Sequence, residues 1–137
     1  MLEIDLERLR RFSREQGLRR LAGRNGEYLF QLAWMPREFI FSHSDLAAAN
    51  LKGFCLINAM LGRANLSQAD FTNANLTGAN LIGANLSGAN LTRAKLGNAL
   101  LNHANLINAK LSFADLDGAD LTGATMPDGM TYDSSYP

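Results

Sequence analysis

The 137-residue sequence contains no valine, one cysteine and three prolines, and its charges cancel, with 13 Lys and Arg against 13 Asp and Glu. A conventional β-sandwich or parallel α/β sheet leans on Val and Ile, so the missing valine argues against both. One cysteine excludes a disulfide scaffold and any multi-thiolate metal site within one chain. No apolar run approaches the roughly 18 residues of a membrane span. Met1 to Gln16 is charged and lacks a signal-peptide apolar core. The expectation is a soluble, cytoplasmic protein. A neutral balance gives no reason to expect a polyanionic partner. The length suits one domain, or a small domain with an appendage.

What is abundant is narrow. Of the 47% hydrophobic residues, 23 are Leu and 19 are Ala. From Phe41 a Leu-like residue returns every five positions, through Leu46, Leu51, Leu56, Leu61, Leu66, Phe71, Leu76, Leu81, Leu86, Leu91, Leu96, Leu101, Leu106, Leu111, Leu116 and Leu121, a run of 17. Ala stands two places before each of these from Ala59, and continues through Ala124. Asn or Asp usually sits between Ala and Leu, as at Asn65, Asp70, Asn75, Asn80, Asn85, Asn90, Asn105, Asp115 and Asp120.

A period of five fits neither regular element. On an α-helix, five residues turn about 500°, so successive Leu would drift by about 140° and smear around the axis. On a flat strand five is odd, so successive Leu would alternate faces. The remaining solution is a chain that bends once per pentapeptide, with Leu and Ala pointing to one interior. Such coils must stack, because one pentapeptide buries too little by itself.

The stretch from Ala64-Asn65-Leu66-Ser67-Gln68 to Ala119-Asp120-Leu121-Thr122-Gly123 resembles the pentapeptide repeat family, whose unit is A-(D/N)-L-X-X. The resemblance covers about residues 39–126 and implies an all-β solenoid, a right-handed quadrilateral β-helix with four pentapeptides per coil. Seventeen pentapeptides would give about four coils, roughly 20 Å tall at ~4.8 Å per coil. The Ala-Thr-Met-Pro-Asp-Gly ending looks like the close of cyanobacterial-type members. Residues 20 apart then stack, so Leu61, Leu81, Leu101 and Leu121 form one interior column. Phe54 stands where Ala is expected, and its ring places an irregular first coil there. Met126-Pro127-Asp128-Gly129 reads as the closing turn.

Residues 1–38 do not share the repeat. Leu2, Leu6, Leu9 and Phe12 have amphipathic-helix spacing, and Asn25-Gly26 marks a turn. Glu27 to Met35 reads as a second short helix ended by Pro36. Six of the 11 aromatic residues fall in residues 1–41. The expected organisation is therefore an α-helical N-terminal cap over 1–38, a β-helix over 39–126, and a turn and tail over 127–137.

The chemistry-bearing residues are few. Eight Arg precede residue 41, but six acids accompany them, which fits a solvated helix face better than a nucleic-acid site. Ser42-His43-Ser44-Asp45 has the residue types of a hydrolase triad, yet neighbours on a coil point apart rather than converge. His43 and His103 share an outward column three coils apart, too far for one metal. Cys55 has no apparent activating neighbour. The Asn and Asp rows are expected to build the corners. No catalytic, metal or cofactor site is expected.

Departures from the repeat point elsewhere. Met60, Lys95, Leu100 and Lys110 replace Asn or Asp, and Ile82 and Ile107 replace Ser or Thr. Met60, Ile82 and Leu100 map to one face that also carries Arg63 and His103. An apolar group framed by Arg and His on a flat surface is a candidate partner or dimer site. Phe113 stands on a neighbouring face. The function expected is a non-catalytic protein-protein interaction or scaffold module, with a regulatory role in a cyanobacterium suggested by the resemblance. A homodimer would use a cap or the apolar face. The competing reading is a DNA mimic that protects a topoisomerase, which the family also contains. Neutral charge and short length speak against it, and no nucleic-acid partner is expected.

Overall fold

The computed structural model describes residues 20–22, 28–30, 41–43 and 45–133. From Phe41 the chain advances in five-residue steps that repeat the same bonds. The Ala amide donates to the carbonyl three residues back, as from Ala84 to Leu81 at 3.0 Å. This closes a four-residue turn. Its third residue takes the left-handed conformation, with φ +66° at Gly83 and +58° at His103. The Asn or Asp side chain braces the same corner: Asn90 Oδ1 accepts from the Thr92 amide at 3.1 Å and from Thr92 Oγ1 at 2.6 Å. The corner role expected of the Asn and Asp rows is thus what the molecule contains.

One coil holds four pentapeptides. Asp45 bridges Asn65 in parallel, Asn65 bridges Asn85, Asn85 bridges Asn105, and Asn105 bridges Thr125. Each coil gives bonds in both axial directions. The Leu81 amide donates forward to the Leu100 carbonyl at 2.7 Å, and the Asn80 amide donates back to the Ala59 carbonyl at 2.9 Å. The result is a β-helix solenoid.

Inside, Leu66, Leu86 and Leu106 stack in one column, and Ala64, Ala84 and Ala104 in another, all fully buried. Each buried Leu side chain stabilises by about 1.5–3 kcal/mol. The Ala columns let the walls approach. Phe71 takes a Leu slot at 0% exposure.

Two expectations are corrected. The coil is regular at Phe54. Its amide donates to Leu51 at 3.2 Å, its carbonyl accepts from Asn75 at 2.8 Å, and its ring is buried. Phe54 lies in the first described coil, and no described coil stacks on it from the N-terminal side. The second correction concerns the N-terminal segment. β1 (Arg20–Ala22) and β2 (Tyr28–Phe30) pair antiparallel, with Leu21 opposite Leu29. The helix expected over Glu27–Met35 therefore does not form at Tyr28–Phe30. The linking sequence contains Asn25-Gly26, a pair that favours hairpin connections over helix. The helix expected around Leu2–Phe12 lies outside the described residues, as does Ser44.

At the other end the chain reverses as the Met126–Gly129 motif suggests. The Gly129 amide donates to Met126 at 2.8 Å and the Met126 amide to Met130 at 2.7 Å. Thr131 then bridges Thr125 antiparallel. This return covers one side of the last coil.

Candidate interaction surface

The side of the solenoid built on Leu61, Leu81, Leu101 and Leu121 gathers all five candidate residues. Its outward edge column runs Met60, Asn80, Leu100, Asp120, joined by successive parallel bridges. Met60 and Leu100 are 40% and 39% exposed, which leaves apolar surface on either side of Asn80. Ile82 is half-buried in the middle coil, next to the column. Arg63 and His103 occupy left-handed corners at φ +55° and +58°. Each folds its side chain over a glycine of the following coil. Arg63 Cγ lies 3.2 Å from where a Gly83 side chain would start, and the His103 ring covers Gly123.

The apolar residues of this face displace a corner bond. Asn80 Oδ1 accepts the Ile82 amide at 3.1 Å, and Asp120 Oδ1 accepts the Thr122 amide at 3.0 Å and Thr122 Oγ1 at 2.7 Å. Met60 and Leu100 offer no such acceptor. Among the described residues, the amides of Gly62 and Asn102 have no partner. Lys95, Lys110 and Cys55 leave the same gap elsewhere. Hydrogen bonds from the Asn102 side chain, and then from Thr122, hold the Asp120 carboxyl below its ordinary pKa. The apolar patch thus borders an ionised carboxylate.

The other sequence candidates do not assemble. Asp45 Oδ1 is taken by the Ala47 amide and by Asn65 Nδ2, both at 3.1 Å, so it does not orient His43. His43 and His103 sit at equivalent corners three coils apart. Cys55 is half-buried and bridges Asn75. No group of three metal-ligating side chains occurs among the described residues, and no helix there is long and apolar enough to cross a membrane.

Three features escape the face-based reading. Ile57 is 48% exposed, in the same slot as Ile82 and Ile107, and the repeat pattern does contain that signal. Phe113 is 84% exposed, with the Arg93 guanidinium 5.9 Å from its ring centroid. A groove of about 730 Å³ lies beside the C-terminal return, lined in part by Met126, Asp128, Met130 and Tyr132. Its residues are spaced irregularly and carry no repeat signal.

The chain matches the family model described as Pentapeptide repeats, in eight copies, over residues 56–88 and 84–123. No curated protein matches it. It is similar to the solved structure of HetL from Nostoc sp. strain PCC 7120, a pentapeptide repeat protein involved in heterocyst differentiation regulation. That match has 40% identity and a TM-score of 0.65, over 66% of this chain and 41% of that one. It is also similar to Rfr23 of Cyanothece 51142, a pentapeptide repeat protein, at 39% identity and TM-score 0.57 over 66% and 58% of the two chains. QnrB1, a plasmid-mediated fluoroquinolone resistance protein, matches at 25% identity and TM-score 0.55 over 59% and 40%. The chain therefore spans about half the length of the first two solved structures it resembles.

Proposed function

The chain belongs to the pentapeptide repeat family, and we propose that it is a non-catalytic protein-interaction module, a right-handed quadrilateral β-helix that docks a protein partner on the Met60–Leu100 face. One observation carries this reading: Met60 and Leu100 expose apolar surface in the slots where Asn80 and Asp120 brace the corner. A corner bond is worth about 0.5–1.5 kcal/mol. Apolar residues that forgo it on one face, framed by Arg63 and His103, suit recognition better than stability. HetL is involved in heterocyst differentiation regulation, which supports a regulatory role here. We place the module in the cytoplasm, with the boundaries 1–38, 39–126 and 127–137. A homodimer through the same face is the simplest self-association.

The likeness to QnrB1, a fluoroquinolone resistance protein, supports a second reading as a DNA-mimicking protector of a topoisomerase. Four coils of roughly 4.8 Å each make a short rod, and the 13 acids are matched by 13 bases. Both weigh against it. Gyrase supercoiling assayed with a quinolone, with and without the protein, separates the two: protection would favour mimicry. The interaction reading is tested by affinity capture from an extract of the source organism, comparing wild type with Leu100→Asp. A partner lost on that substitution supports the face, and unchanged capture removes it.

A further inference from the structure

The zero net charge hides an axial separation. Residues 111–137 contain five Asp (Asp115, Asp117, Asp120, Asp128 and Asp133) and no Lys or Arg, so residues 1–110 carry the compensating excess of five positive charges. The negative end of the chain is also where the solenoid stops.

The C-terminal edge is open on two sides. In earlier coils the Leu amide and the corner amide donate to the next coil, as Leu91 does to Lys110 and Arg93 to Ser112. In the last coil the equivalent amides of Leu111, Phe113, Leu116 and Gly118 have no acceptor among the described residues. The carbonyls of Ala109, Ala114 and Ala119 accept nothing from the described residues, whereas Ala89, Ala94 and Ala99 each accept from the following coil. The C-terminal return pairs with residues 123–125, and among the described residues nothing pairs with this stretch on that side. Leu111, Leu116 and Ala119 are accordingly only partly buried. Phe113 projects at the rim of the same edge, in a left-handed conformation (φ +58°) that is uncommon for a bulky residue.

An open strand edge is a template for another strand. We propose that the edge formed by residues 109–120 takes a basic peptide segment of a partner protein, which adds backbone bonds along both open sides and bends with the coil at the corner between them. The peptide carbonyls accept from Leu111, Phe113, Leu116 and Gly118, and its amides donate to Ala114 and Ala119. Asp115, Asp117 and Asp120 meet its Lys or Arg side chains, and Phe113 packs on their aliphatic stems. The charge fixes the occupant: a second copy stacked edge to edge would set five carboxylates against five, and an acidic strand would be repelled likewise. This inference rests on the interaction-module reading, and its surface meets the Met60–Leu100 face only at Asp120.

The test uses the full chain, ¹⁵N-labelled, with a ten-residue peptide of alternating Lys and Thr as probe. The amides of Leu111, Phe113, Leu116 and Gly118 should shift and exchange more slowly with solvent, while Gly83 and His103 stay unchanged. Asp115→Asn/Asp117→Asn/Asp120→Asn keeps the corner acceptors and should weaken binding about tenfold at low salt. Alternate N-methylation of the peptide should abolish it, and Met60→Asn/Leu100→Asn should leave it intact. Equal binding of a Glu-Thr peptide would overturn the proposal. So would binding insensitive to N-methylation, or protection of the same amides by a concentration-dependent dimer without peptide.

Discussion

Leu100 bridges Asn80 in parallel, and the two differ in one bond: Asn80 Oδ1 holds the Ile82 amide at 3.1 Å, while the equivalent Asn102 amide above Leu100 has no acceptor among the described residues. The scaffold therefore already contains the polar solution to this corner in the neighbouring coil. Leu100→Asn should restore the brace and stabilise the fold by about 0.5–1.5 kcal/mol, as should Met60→Asn. Urea unfolding midpoints measure this. A loss of stability would mean that the exposed apolar side chains pack more than their exposure indicates.

The interior should be intolerant in both directions. Leu81 and Ala84 are fully buried in columns that repeat every 20 residues. Leu81→Ala opens a cavity and should cost about 2–5 kcal/mol. Ala84→Leu forces a larger group into the slot that sets wall spacing, and should cost about 1–3 kcal/mol or more. Leu116→Ala should cost less than Leu81→Ala, because Leu116 is only partly buried at the open end. Denaturant unfolding of the three variants gives the order.

Asp70 gives the fold a sensitivity to acid. Burial pushes its carboxyl pKa up, but bonds from Thr72 Oγ1 (2.6 Å) and the Thr72 amide (3.0 Å), with Lys52 3.8 Å away, outweigh it and leave the pKa below 3.8. A carboxyl whose pKa is lower folded than unfolded stabilises the fold fully above about pH 4, and that contribution is lost as the pH falls through the folded value. Asp70→Asn keeps the corner acceptor but does not titrate. Its thermal midpoint should fall less than that of wild type between pH 5 and pH 2. Parallel curves for the two proteins would contradict this assignment.

The interior was legible because Leu and Ala each recur without a break, and only a chain bending every five residues buries both. The corner conformation was not. Among the described residues, eleven left-handed residues are not glycine, including Arg63, His103 and Phe113, so the usual glycine signal is diluted. The pairing of Tyr28–Phe30 with Arg20–Ala22 was hidden because a mixed apolar stretch ended by Pro36 reads equally well as a helix. Five candidate residues could be assigned to one face because the resemblance to the pentapeptide repeat family implies a 20-residue coil, which fixes which positions share a side. The open edge could not, because it depends on which face the Met126–Tyr132 return covers. Its charge was masked by adding Asp115, Asp117 and Asp120 to the basic residues of earlier coils.

On our proposal, the Met60–Leu100 face gives up corner bonds in order to bind a protein. Quantitative mass spectrometry of proteins retained from source-organism extract by wild type and by Met60→Asn/Leu100→Asn, alongside their unfolding curves, tests it most directly. The double variant should be more stable and lose a specific partner. A more stable variant that retains every partner of the wild type would contradict it.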